Sequence, residues 1–365
     1  MKKIDWYILK KFLTTFLFCL LIFTVIAVAV DSSEKADEFV KVDFSTWEFI
    51  TNYYIGFIPF IWSLLFPLFV FLAVIFFTSR MASRSEIIAI LSSGTSYNRF
   101  LRPYLVGGLL FASILWFGSR YWIPKANIIR TDFQREYVDT RNPVNYSGAG
   151  FCEQCFYRRL DSVTYVGLRR YDPVSRSANG FFMERIRNNK VYYNLRAELI
   201  RWDTVGKQWK LFNVAERKID SMRESMSYYD TLVMNISIKP EELVKDKYLQ
   251  DKLTSPELAA FIRREEARGS EGLNTLKVEQ HRRTATPATV ILLTIIGVVV
   301  ASRKIRGGSG IHLAIGIVIA ALFIISDRFS STFAIKSNLP PLLAAWLPNI
   351  VFSGVAFWLY RRTPK

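Results

Sequence analysis

Histidine is almost absent from this chain. Two occur in 365 residues, His281 and His312, and cysteine occurs three times, at 19, 152 and 155. A structural zinc site needs four closely spaced thiolate or imidazole ligands. Cys152 and Cys155 form a C-x-x-C pair, but Cys19 lies inside an apolar run and both histidines are remote from the pair, so no metal site is expected. The pair reads as a local disulfide in an oxidising compartment, or as two thiols near the start of a strand. Also missing is G-x-x-x-x-G-K-[ST]. "GGSGIHLAIG" at 307–316 has the glycines without the lysine, so the chain holds no ATP of its own. Neither G-x-S-x-G nor H-E-x-x-H occurs. Paired carboxylates such as Glu265 and Glu266 read as the solvated face of a charged helix. No enzyme activity and no bound cofactor are expected.

Acidic residues are also few, 31 against 48 basic ones, for a net charge of +17. More than half of that charge lies outside 125–283, beside apolar runs. The rest is spread thinly, with no basic run of the kind that grips nucleic acid. No nucleic-acid partner is expected.

Long apolar runs are present instead. Leu13–Val30, Ile55–Thr78, Leu105–Ser119, Pro287–Ser302, Ile311–Ser326 and Leu342–Tyr360 contain no charged residue. A bilayer core about 30 Å thick takes roughly 20 helical residues, so each run is a span, the two shorter ones with help from their flanks. The first run is long for a signal peptide and is followed by only a weak A-x-A site, so it is expected to be retained. Basic residues flank alternate loops: Lys2, Lys3, Lys10 and Lys11; Arg80, Arg84, Arg99 and Arg102; Arg303, Lys304 and Arg306; Arg361, Arg362 and Lys365. All fall on one side only if six helices cross. The positive-inside bias then puts both termini in the cytoplasm. Asp31–Ile50 is acidic, with Lys35 and Lys41 among six acids.

The 125–270 segment mixes aromatic, β-branched and charged residues in imperfect alternation. Lys190–Asp203, "TVGKQ" and Trp209–Asp220 read as a hairpin. Several short strands predict an antiparallel sandwich or jellyroll, ending in a helix with Ser255 as N-cap, Pro256 at its first position and Gly269 as its stop. The fold class expected is membrane α-helical, with six transmembrane helices and a large extracytoplasmic all-β, jellyroll-like domain between helices 3 and 4. Its divisions are 1–124, 125–270 and 271–365.

"SRSEIIAILSSG", Ser83–Gly94, is too polar to span. Its S-x-x-E spacing predicts a capping box between Ser83 and Glu86, and Gly94 predicts the C-terminal stop. Ile87, Ile88, Ile90 and Leu91 share one arc, and Ser85, Glu86, Ala89, Ser92 and Ser93 the other. So short a helix must pack on something. A small-residue arc with one carboxylate suits a groove on another protein better than a lipid surface, which favours Lys and Arg.

These features resemble the LptF/LptG family of lipopolysaccharide export permeases, nearly end to end. The resemblance is carried by "SRSEIIAILSSGTS", "EQHRRTATPATVILLTIIGV" and "LPPLLAAWLPNIVF". It implies an ABC-transporter permease that extracts lipopolysaccharide from the bacterial inner membrane. It implies four partners besides the lipid: a dimeric LptB-like ATPase that uses the ATP and magnesium, a second permease of the family, and periplasmic LptC- and LptA-like jellyroll bridges. Ser85, Glu86, Ile87, Leu91 and Gly94 then belong to the coupling helix that docks on the ATPase, with Glu86 as its charged contact. Lys35 and Lys41 become candidate contacts for lipid phosphate. Spans one and five would flank a lateral gate. The alternative is a mechanotransmitting or sensor-type membrane protein that moves no lipid. Pro348 and Asn349 are expected to mark a kink whose freed backbone groups find local partners. Asp327–Arg328 is expected to mark the outer membrane interface.

Overall fold

The computed structural model describes residues 3–36, 47, 50–134, 156–172, 175–188, 190–220, 223–236, 238–243, 248–267, 272–303, 309–337 and 339–362. The chain divides into two compact units. One comprises Met1–Arg141, Gln250–Ala259 and Asn274–Lys365; the other comprises Asn142–Leu249 and Ala260–Leu273.

The first unit is helical. Its elements are α1 (Lys3–Glu34), a π-helical turn (Ile50–Tyr54), α2 (Ile55–Ser83), α3 (Glu86–Ser92), α4 (Tyr97–Phe117), a second π-helical turn (Gly118–Trp122) and α5 (Ile123–Phe133). After the second unit come α9 (Asn274–Ala301), α10 (Ser309–Lys336) and α11 (Pro341–Arg361). Six helices among the described residues are long and apolar enough to cross a membrane, with α4, the π turn and α5 counting as one continuous span. Each outruns its charge-free stretch. α1 begins ten residues before Leu13, because Ile8, Leu9 and Phe12 bury an apolar stripe between the lysines.

α9 lies at the centre of the bundle, against α2, α4, α10 and α11. A second core joins α1, α2 and α4 through aromatic rings. Phe12 meets Phe111 edge-on at 5.1 Å, and Phe77 stacks on Tyr104 at 5.3 Å. Small residues admit this closeness. A methyl group on Gly107 would lie 2.5 Å from the Phe12 ring. Inside the aromatic core, the Thr78 hydroxyl donates to Tyr104 Oη at 3.1 Å.

Proline inside the helices removes backbone donors. Pro348 leaves the Ala344 carbonyl without its helical partner, and Ser330 Oγ of α10 donates to it at 2.7 Å. Asn349 donates from Nδ2 to the Ala285 carbonyl at 3.0 Å, while Thr289 Oγ1 donates to Asn349 Oδ1 at 2.8 Å. The expected local partners around Pro348 are present. Asp327 pairs with Arg282 of α9 at 2.7 Å rather than with its neighbour Arg328, which is exposed.

The second unit is a six-stranded antiparallel sheet: β1 (Phe156–Arg159), β2 (Thr164–Asp172), β3 (Ser177–Arg187), β4 (Lys190–Asp203), β5 (Gln208–Ile219) and β6 (Glu224–Met234). The strands pair in plain chain order. β4 and β5 form the expected hairpin, closing at Asp203 opposite Gln208. Alternate residues bury one face: Val166, Leu168, Phe181, Leu195, Trp209 and Leu211, covered by Ile236, Ile238 and Leu243. Trp209 Nε1 donates to the Ile238 carbonyl at 2.8 Å, so the buried indole is satisfied. On the other face, Phe182 covers its cross-strand partner Gly167, whose missing side chain makes room for the ring.

In chain order, the sheet is followed by α6 (Pro240–Leu243), α7 (Leu249–Lys252) and α8 (Ser255–Ala267), and then by α9. The cap of α8 differs from expectation by one residue. Glu257 accepts from the backbone and hydroxyl of Thr254 at 2.9 and 2.7 Å, the carboxylate half of a capping box, and the Leu258 N–H donates to the Thr254 carbonyl at 2.8 Å, so Thr254 and not Ser255 is the N-cap. The expected stop, Gly269, lies outside the described residues.

Residues 250–255 are fixed within the helical unit by Arg283. Its guanidinium, nearly buried, donates to the carbonyls of Gln250 and Leu253 at 2.7 and 2.8 Å and to Ser255 Oγ at 3.3 Å, and it pairs with Glu279 at 3.3 Å. Arg130 of α5 lies over the Phe60 ring at 3.7 Å and 3.6 Å from Asp251.

Candidate coupling surface and outer ion cluster

The link from α2 to α3 is only Arg84 and Ser85. Ser85 takes a left-handed conformation, φ 60°, and this one residue turns the chain. The expected capping box does not form. α2 runs through Ser83, whose hydroxyl bonds back to the Arg80 carbonyl at 2.9 Å. Glu86 instead turns to α1: its Oε2 accepts from Tyr7 Oη at 3.1 Å and lies 3.5 Å from Lys11 Nζ. Non-local partners outcompeted the local cap. Gly94 does end the helix, at φ 82°, and its N–H donates to the Leu91 carbonyl at 3.1 Å.

The apolar arc of α3 is split. Ile87 is buried and Leu91 and Ile90 are partly so, packed on the core of α1, α2 and α4. Ile88 stands out at 52% exposure, beside exposed Ala89, Ser92 and Ser93. The seven-residue helix therefore offers a small, nearly uncharged surface, with half-buried Glu86 at its rim. A second ion pair, Asp5 with Arg99 at 3.7 Å, joins the same end of α1 to the start of α4. Sequence reasoning singled out none of Tyr7, Lys11, Asp5 or Arg99 as a partner of this helix. Pairings across 75 to 94 positions leave no local pattern.

Lys35 lies at the other end of α1. Its ammonium is 2.7 Å from Asp31 Oδ1, 4.6 Å from the centre of the Tyr53 ring, and hydrogen-bonded to Tyr53 Oη. Tyr53 donates to the same Asp31 oxygen at 3.0 Å. Burial, and then the charge of Asp31, push the Tyr53 phenol far above its ordinary pKa, which keeps it a donor. Ser32 Oγ and Tyr54 Oη add a contact at 2.5 Å. The i,i+4 spacing of Asp31 and Lys35 was a legible signal for this pair. Lys41, Cys152 and Cys155 lie outside the described residues. Among the described residues, no three His, Cys, Asp or Glu side chains are grouped to hold a metal ion.

Six membrane-length helices, an antiparallel β unit inserted between the third and fourth, and a short exposed helix between the second and third define a permease-type membrane protein. The chain belongs to the lipopolysaccharide export system permease LptF/LptG family, whose match runs over residues 6–362. No curated protein matches the chain.

Proposed function

We propose that this chain is the transmembrane permease subunit of an ABC transporter that lifts lipopolysaccharide out of the bacterial inner membrane. It is driven by a separate dimeric ATPase and pairs with a second permease of the same family. The lipid passes to the β unit on the periplasmic side and then to a bridge of similar β proteins. The observation that carries this reading is α3. It is exposed between spans two and three, it lies among the basic flanks expected on the cytoplasmic side, and the sequence around it contains no nucleotide-binding loop. In chain order the sheet is inserted between spans three and four, which is consistent with this reading.

The docking face is Ile88, Ala89 and Ser92. Ser85 and Gly94 set its ends, and Ile87 and Leu91 seat it on the bundle. Glu86 is the rim charge; both of its contacts within the chain use Oε2, and Oε1 receives an arginine of the ATPase. Lifting a lipid with several acyl chains costs about 0.8 kcal/mol per CH₂ withdrawn from the membrane, so an outside energy source is required. Lys35 and Lys41 meet lipid phosphate at the outer end of span one. Lys35 does so by exchanging its Asp31 partner.

Affinity purification in mild detergent tests the assembly. A small P-loop ATPase and a second six-span permease should accompany the chain, and Glu86→Lys should remove the ATPase or leave its hydrolysis without transport. Purification of the chain alone, or unchanged assembly and export in the variant, would overturn this reading.

A further inference from the structure

We propose that Glu86 is the joint between the docking helix and the first span, so that α1 follows α3 when α3 is pushed. This deepens the reading above and rests on it only for the source of the push.

The geometry is a closed triangle. Tyr7 and Lys11 are four residues apart on one face of α1, and both reach the same carboxylate oxygen, at 3.1 and 3.5 Å. Lys11 Nζ also lies 4.2 Å from the centre of the Tyr7 ring, which orients the ammonium toward Glu86. The Lys11 and Glu86 side chains are 34% and 27% exposed. Such a half-buried pair is modest in strength, so it steers a helix without locking it.

The rest of α1 explains why a joint here matters. Its buried side chains are Ile8, Leu9, Phe12 and Phe16 at one end and Asp31 at the other. Between them Leu17, Phe18, Leu21, Val25 and Ile26 are exposed. Along its middle α1 is held on one face only, where Phe23 stacks on Phe69 at 5.2 Å and Thr24 accepts from Trp62 at 2.8 Å, so contacts at its first turns bear strongly on its direction. α3 is joined covalently to α2 and α4 but not to α1, so a displacement of α3 reaches α1 through side chains alone. The chemistry at that crossing is the Glu86 triangle, with Asp5–Arg99 beside it.

Two measurements test this. In the first, the full chain alone, with its native cysteines replaced, carries spin labels at Ile4→Cys and Ile88→Cys in nanodiscs. The expected distance distribution is narrow, broadens in Lys11→Glu, and narrows again in Lys11→Glu with Glu86→Lys. An unchanged width in the single variant, or no recovery in the charge swap, overturns the joint. In the second, the assembled transporter carries Lys11→Met, which leaves the docking face intact. ATPase co-purification should match the unaltered chain, lipid release per ATP should fall about fivefold or more, at the low end of site-to-site coupling, and Lys11→Arg should restore it. Unchanged release in Lys11→Met overturns the joint. Failure of the unaltered chain to retain an ATPase would instead overturn the functional reading, and the distance measurement would still decide the joint.

Discussion

Ser330 and Ala344 are tied across two membrane helices by a hydroxyl that replaces the donor Pro348 lacks. The bond is buried, so its loss leaves a carbonyl with neither water nor protein to pair with. Ser330→Ala should lower stability by about 1–3 kcal/mol, the cost of an unmet buried acceptor. Thermal unfolding in detergent measures it. An unchanged midpoint would mean that another donor reaches Ala344.

Arg283 gathers residues 250–255 through two carbonyls and a hydroxyl, with Glu279 beside it. Arg283→Met keeps much of the volume and removes every donor. The change should cost about 3 kcal/mol, as breaking a buried charged network does. It should also speed proteolysis around Leu249–Leu253. Cleavage at the unaltered rate would show that this segment is fixed by packing alone.

Asp161 supplies a pH prediction. Its Oδ1 accepts from the backbone of Val163 and Thr164 at 2.8 and 2.7 Å in the β1–β2 turn. Those bonds, first that from Val163, hold the carboxyl below its ordinary value of about 3.9. The ionised form is therefore favoured by folding. Its contribution is complete above the ordinary value and is lost as pH falls through the depressed one. A carbon-detected titration of Asp161 should give a midpoint below that of Asp in a peptide, and protection of the Thr164 amide should fall with it. An ordinary midpoint would remove the turn's dependence on charge.

The spans were legible because absence of charge over a bilayer's width is a strong pattern. Their ends were not. α1 starts at Lys3, and the third span runs from Tyr97 to Phe133, since polar helix outside a membrane leaves no hydropathy signal. The β4–β5 hairpin was legible from its turn residues. The bulges that shift β2 against β3 around Arg169 were not, because they are set by pairing rather than by local sequence. Around α3 a local motif gave way to distant partners. Ser83 and Glu86 have capping-box spacing, yet the helix of span two continues through Ser83, and Glu86 found Lys11 and Tyr7 instead. A local motif competes with every distant partner that folding brings near. The position of α3, between spans two and three and ending at Gly94, could be read; the side chains it meets could not.

The hydroxyl pair of Thr78 and Tyr104 sits among phenyl rings that would tolerate sliding past one another. Aromatic faces accept many offsets at nearly equal energy. A single directional bond in that greasy setting works as an index mark, and one step of rotation or translation would break it with no water at hand to compensate. Whatever rearrangement accompanies transport, spans two and three should keep their rotational setting against each other at this point.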